Sequence, residues 1–529
     1  MSIKRLILSL LTFLLVVLFG LRLLDSWRQP QIQSRLELYQ TNLLLHAAEW
    51  QEKTEKDSGV KSAREALIGR EPLEAAQKQY QQTRKSVLAN LEKATKQLEL
   101  LKSNVPVPAP ANIKPPQEID LSAETYRSAQ VGQLQDSINE LEKLIKELDV
   151  KIGLLQAKQG KIDRALQTWQ SASQENTRST AKTADILIGL WNQPARILPN
   201  AQQIIQKSLD GWFRYQALTQ LYQLQQREEA LAKLQAQEAE IAEQAVVKLA
   251  FVGGLPTFGF LIGVGLLIFT IAQWLLKKDL SLLSQNSNLP WATPWDAETV
   301  WQVFVVGFFA MQLLVSIFLL PVLVSLLNLD PASFDLRTKA FSVFATYAIV
   351  AVGGILVLYF SIKSFLPLPS EWFRFNLGGN WFWWGLGGYF TALPLVIVVS
   401  LINQKIWQGQ GGSNPLLSLA LQANDRVALG IFFVTAAIAA PLFEEFLFRG
   451  FLLPSLTRYM PVWGAILLSS FFFALAHLSL SEVLPLTTLG VVLGIVYTRS
   501  RNLLAPMFLH GLWNSGTLLS LFILGSGAN

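Results

Sequence analysis

The sequence predicts an all-α protein: a polytopic transmembrane helical bundle of about eight C-terminal spans plus an N-terminal anchor, with a soluble helical domain in between. Three observations predict it. Of the 529 residues 51% are hydrophobic and only 16% are charged. The apolar residues gather into runs, at 6–24 and through 249–526, many of them about the twenty residues a helix needs to cross about 30 Å of hydrocarbon. Between those runs, residues 26–245 are polar and rich in Gln, Ala, Glu and Lys, mostly good helix formers with few β-branched stretches.

The first run follows Lys4-Arg5, is longer than a signal-peptide core and lacks an A-x-A-like cleavage site, so residues 1–26 read as an uncleaved membrane anchor. Residues 27–245 read as the soluble helical domain. A Pro-rich break at 104–116 predicts a stiff linker between two helical parts. In the first part, Leu88, Leu91, Leu98 and Leu101 form heptad-like stripes that suggest a helical hairpin. In the second, near 145–240, Gly153, Ala165, Trp169 and Ala172 have tetratricopeptide-like spacing. Gly189, Ala201, Ile205 and Ser208 repeat it, and Ala230 with Leu234 begins a third copy, close to a period of about 34. An ordinary bundle with alanines at close contacts accounts for the pattern equally well. His46, in this domain, reads as a half-buried helix residue.

Residues 246–425 supply accessory transmembrane helices, and 426–529 a last set. Candidate spans fall at 249–276, 300–327, 340–362, 381–403, 427–457, 463–479, 484–499 and 503–525. The run 427–457 is too long for one straight crossing, and Pro441 offers a kink point. Trp291, Trp295, Trp301, Trp372, Trp381, Trp383, Trp384 and Trp407 sit near span ends, where an aromatic belt belongs. With nine crossings, Lys4, Arg5, Lys277, Lys278, Lys363, Arg374, Arg458, Arg499 and Arg501 share one side. The positive-inside rule makes that side cytoplasmic and puts residues 27–245 opposite. The chain therefore reads as a multi-pass integral membrane protein of the cell membrane or an internal membrane.

A net charge of +6 without a basic-aromatic array excludes nucleic acid as a partner. The absence of cysteine excludes thiol catalysis, disulfides and Cys-ligated metals. What remains is chemistry by the few polar residues inside apolar runs. An ionisable group at membrane depth costs about 2.5–3.5 kcal/mol even on lenient scales, so it is rarely there without a task.

Those residues are Glu444, Glu445 and Arg449 in one run, His477 in the next, and His510 with Asn514 in the last. Glu444 and His477 lie at similar distances from the turn near 458–463, hence at similar depth. His510 and Asn514 are four apart and share a helix face, as do Glu445 and Arg449, which can form a local ion pair. Glu444, rotated by about 100° from Glu445, is then free to face the bundle interior. Such residues also serve as inter-helical glue worth about 1 kcal/mol a pair, but four groups from three helices argue for a pocket. A carboxylate in a low-dielectric site suits a general base that deprotonates water, with a histidine beside it to share that water. A second histidine and an asparagine amide supply donors for the oxyanion of a tetrahedral intermediate. Hydrolysis fits this set.

At Glu444-Glu445-x-x-x-Arg449, Phe473-x-x-x-His477 and His510-x-x-x-Asn514 the chain resembles the CAAX-protease and bacteriocin-processing (CPBP, or Abi) family of intramembrane proteases. The resemblance covers about 426–525 and marks residues 426–529 as the protease core. It implies an intramembrane endopeptidase in which a water activated by Glu444 and His477 cleaves a peptide bond of a membrane-associated protein or peptide. His510 and Asn514 would stabilise the oxyanion, with Glu445 and Arg449 supporting. It also raises CAAX-type prenyl-protein processing and a partner for the helical domain. If a metal is used, Glu444, His477 and His510 are the ligands for zinc or another divalent ion. The H-E-x-x-H helix is missing and Asn is a rare zinc ligand, so a metal-free mechanism is favoured. The alternative is a non-proteolytic membrane scaffold recruiting partners through the helical domain. A transporter is disfavoured, since no inverted repeat is visible.

Overall fold

The computed structural model describes residues 3–28, 33–50, 65, 67–103, 121–173, 178–407, 411–413, 417, 419 and 425–525. Among them every regular element is helical. The chain divides into two compact units. One holds residues 1–33 with 250–526, and the other centres on 34–249. The expected linker at 104–116 lies outside the described residues.

The first unit contains α1 (Ile3–Arg28), α10 (Leu255–Lys277), α11 (Ala297–Leu326), α12 (Leu336–Ile362), α13 (Trp381–Trp407), α14 (Arg426–Leu456), α15 (Val462–Leu475), α16 (Val483–Ser500) and α17 (Leu504–Gly525). Among the described residues, eight helical stretches are long and apolar enough to cross a membrane, α1 among them. The chain is a multi-pass integral membrane protein. α1 is a working part of this bundle. Leu15 and Phe19 are buried, Phe19 meets Phe309 edge to face, and the Trp301 indole donates to Thr12 Oγ1 at 2.8 Å.

The run expected over 463–479 forms helix only over Val462–Leu475. At about 1.5 Å per residue that is about 21 Å, short of the hydrocarbon thickness. The chain leaves the helix through Leu478, whose φ of 56° is left-handed. Even so, α15 links opposite ends of the bundle. At one end Arg458 donates to the Thr293 and Trp295 carbonyls, Arg501 to that of Leu289, and Leu503 N–H to Arg374. Lys4 and Arg5 pair with Glu298 at the start of α11. At the other end Leu480 N–H donates to Ser26, and Asn403 to the Ser481 carbonyl. Asp425 caps α14 there and meets Arg337 at 2.7 Å. The Ala428 N–H, and then Arg337, hold its carboxyl below the usual carboxylate range.

The tryptophan belt is only partly that. Trp291, Trp295 and Trp372 are buried in the core. Trp295 donates to Ser455 Oγ at 2.9 Å and Trp372 to the Ala292 carbonyl at 2.9 Å. An indole that finds an internal acceptor can leave the interface, and these rings wedge the loop before α11 against α14.

The second unit comprises α2 (Gln33–Ala48), α3 (Pro72–Ser103), α4 (Leu121–Lys158), α5 (Ile162–Ser173), α6 (Arg178–Trp191), α7 (Ala201–Ser208), α8 (Gly211–Leu224) and α9 (Glu228–Leu249). The two expected helical parts share one core, because the stripe of α3 packs along α4. Arg84 on α3 also chelates Asp149 on α4. Ala165, Trp169 and Ala172 are buried as their spacing requires, and the Trp169 indole donates to the Val150 carbonyl at 3.1 Å. His46 is not half-buried. It is 2% exposed and bonds Glu238 at 2.6 Å, a carboxylate partner that makes full burial tolerable.

In the membrane unit, helices approach closely where side chains are smallest. A Cβ at Gly263 would fall against the Phe390 carbonyl and the Pro394 ring, so α10 and α13 touch backbone to backbone. Gly265, two residues on, has nothing within 4 Å of its Cβ position. Gly263→Leu is expected to destabilise the protein by about 1–3 kcal/mol through overpacking. Gly265→Leu is expected to be tolerated. Thermal unfolding of the two variants in detergent checks the contrast.

Candidate active site

All six sequence-predicted site residues lie on α14, α15, α17 or the turn after α15. In α14 the stretch Ala440–Leu447 carries Glu444 and Glu445 between two π-helical turns, Val434–Ala439 and Phe448–Leu452. Pro441 explains the first. It has no N–H and its ring crowds the preceding turn, which a wider turn accommodates. The Ala436 carbonyl then faces Pro441 five residues on, where a π turn would need a donor. Asn514 supplies one from α17, donating Nδ2–H to that carbonyl at 2.7 Å.

Glu445 and Arg449 form the expected pair one turn apart, N–O 2.9 Å, both side chains fully enclosed. Glu445 Oε1 also meets His510 Nδ1 at 2.8 Å. Arg449 donates from its second terminal nitrogen to the Gly490 carbonyl at 3.0 Å and lies 4.5 Å over the Phe473 ring. Gly490 is a glycine for this reason: a Cβ there would meet Ser470 at 2.8 Å and push α16 off α15. Phe473 is the hub. Its ring stands edge-on to His477 and His510, with centroids 5.0 and 5.6 Å away.

His477 sits past the end of α15. Its own N–H bonds Ala474, leaving the Phe473 carbonyl without a helical donor, and His477 Nδ1 fills that place at 2.9 Å. A carbonyl only accepts, so Nδ1 carries the proton and a neutral His477 presents Nε2 as an acceptor. His510, donating Nδ1–H to Glu445, likewise presents an accepting Nε2 when neutral. It donates to an oxyanion only when both nitrogens are protonated.

Glu444 stands apart from this network. It is half-buried. Oε1 accepts from the Tyr347 hydroxyl at 3.2 Å, and Oε2 is covered with no partner. Glu444, His477 and Asn514 thus share no direct hydrogen bond, while His510 is joined to Glu445 instead. Tyr347, on α12, is the residue that the motifs missed. Among the described residues no three of His, Asp and Glu come together so as to hold a metal. Glu444, His477 and His510 are not gathered as a ligand set in this arrangement.

Removing Arg449 would strand an enclosed carboxylate. Arg449→Ala is expected to cost about 3–5 kcal/mol. Arg449→Lys is expected not to restore it, since a point charge cannot serve Glu445, Gly490 and the Phe473 face together. Detergent thermal unfolding and the amount of membrane-inserted protein measure both.

Comparison with known proteins matches the same part of the chain. The model of the Rce1-like family, type II CAAX prenyl endopeptidase Rce1-like, matches residues 426–516. The putative membrane peptidase YdiL of Bacillus subtilis (strain 168) is 26% identical over 132 residues, 25% of this chain and 53% of that protein. The membrane-embedded CAAX protease MroQ of Staphylococcus aureus (strain USA300) is 30% identical over 137 residues, 25% of this chain and 54% of that protein. The chain spans about half the length of these curated relatives, and no solved structure matches it. The three motifs, on three packed helices, fall within the same residues 426–516 that are similar to the Rce1-like CAAX endopeptidase family.

Proposed function

We propose that this protein is an intramembrane endopeptidase that hydrolyses a peptide bond of a membrane-associated protein or peptide. The observation that carries the reading is the unequal treatment of two adjacent carboxylates. Glu445 is fully enclosed and committed to Arg449 and His510. Glu444 is half-buried and meets only a neutral phenol, while each of the two carboxylates keeps its Oε2 without a partner. An enclosed ion pair beside a carboxylate that no cation engages suits positioning and base catalysis respectively.

In this reading Glu444 takes a proton from a water molecule, whose oxygen bonds to the scissile carbonyl carbon. His477 Nε2 orients that water. The carbonyl oxygen becomes an oxyanion, for which Asn514 has its second N–H and a doubly protonated His510 has Nε2–H. On collapse the C–N bond breaks, and the proton passes from Glu444 to the leaving nitrogen. The products are a new carboxyl end and a new amino end.

CAAX-type processing of prenylated C-termini is the finer form of the proposal, supported by the similarity to the Rce1-like family and to the CAAX protease MroQ. The Lys/Arg-bearing end of the bundle is proposed to be cytoplasmic. A reporter fused after Lys278 is expected to give a cytoplasmic signal, and a non-cytoplasmic one would reverse the orientation. Residues 34–249 are proposed to bind a protein partner.

Purified protein in detergent, offered a fluorogenic peptide with a farnesylated CAAX end, tests the chemistry. Glu444→Gln is expected to lower turnover at least about a hundredfold, the lower end of what one acid–base group contributes. Membrane insertion should be unchanged. Wild-type turnover by that variant ends the assignment. Exhaustive chelation is expected to leave activity intact, and a loss reversed by zinc overturns the metal-free mechanism.

A further inference from the structure

α12 lies outside the segment that the family model matches, yet it delivers a side chain to Glu444. One stripe of this helix faces the core: Tyr347, Ala351, Gly354, Leu358 and Ile362, at intervals of three or four. At the inner end of the stripe the Tyr347 ring stands edge-on to Phe443, centroids 6.1 Å apart and planes at 86°. Phe443 precedes Glu444 in α14, so the contact that seats the tyrosine also sets its height against the carboxylate.

The Tyr347 hydroxyl has one proton and two acceptors in reach, Glu444 Oε1 at 3.2 Å and the Ala440 carbonyl at 3.4 Å. Both are longer than the 2.7–2.8 Å that such bonds favour, as befits a shared proton. We propose that Tyr347 is a positioning residue for the base. It ties down Oε1 of Glu444, leaves Oε2 as the oxygen that takes the proton from water, and follows the carboxylate through the cycle. When Glu444 is ionised, the charge draws the hydroxyl proton to Oε1, since charge-assisted bonds are about twice as strong as neutral ones. When Oε2 carries the proton, the pull of Oε1 weakens and the Ala440 carbonyl keeps the hydroxyl satisfied. The phenol is not orphaned at any stage, and while Glu444 is ionised the bond to Oε1 keeps the carboxylate from rotating to exchange its two oxygens.

The inference rests on the reading of Glu444 as the base, and the test separates the two. Tyr347→Phe removes one oxygen and keeps the ring on Phe443. In infrared spectra of the purified protein, the carboxyl band that Glu444→Gln abolishes is expected to be displaced in Tyr347→Phe. On the farnesylated peptide, Tyr347→Phe is expected to lower kcat about tenfold with KM unchanged, a split that loosened packing alone would not give. A band at the wild-type position in a folded Tyr347→Phe protein overturns the inference and leaves Glu444 as the base if Glu444→Gln is inactive. Wild-type turnover by Glu444→Gln overturns the base reading and the inference with it. If the wild type leaves this peptide uncut, the band alone decides.

Discussion

A guanidinium enclosed in an apolar bundle needs a countercharge and acceptors, and the site is organised around that demand. Arg449 is neutralised by Glu445, tied to the Gly490 carbonyl and laid over Phe473. An unpaired charge there would cost several kcal/mol, so these three partners must be in place for the bundle to form. They come from α14, α16 and α15, which locks three helices in register. Glu445 then reaches a fourth, α17, through His510. Such pairs seldom add net stability over apolar packing, and what this one supplies is a single geometry.

Given that register, the neighbouring groups have little freedom. Phe473 holds both histidine rings edge-on while its carbonyl fixes the His477 tautomer. Pro441 opens a carbonyl that Asn514 fills, so a backbone defect becomes the anchor of a site residue. Rings and amides held by backbone groups do not reorganise as charge develops, which is the condition under which such groups catalyse best.

Much of this was legible in the sequence because it depends on spacing along one helix or on hydropathy. Fold class, the span positions other than 463–479, the Glu445–Arg449 pair and the shared face of His510 and Asn514 all follow from a period of 3.6 and from membrane thickness. The expectation of one pocket holding Glu444, His477, His510 and Asn514 met a more divided arrangement. His510 is drawn to Glu445, and Glu444 turns to α12. Spacing tells which way a residue points from its own helix, but not which neighbour it meets.

By itself, then, the sequence determined that the chain is a multi-pass helical membrane protein with Glu444, Glu445, Arg449, His477, His510 and Asn514 in its apolar runs. Hydropathy and helical period are local properties, and lipid leaves the backbone only helices or closed barrels, between which apolar runs of about twenty residues choose the helix. Only the tertiary structure decided the partners. Tyr347 sits far from Glu444 along the chain in a run without charge, so no local pattern could reveal it. Trp295 and Trp372 left the expected belt because Ser455 and the Ala292 carbonyl, distant in sequence, satisfy their indoles. His46 became a core residue because Glu238 lies beside it. In each case a polar group is buried where a partner distant in sequence removes the cost, and that pairing exists only once the helices have packed.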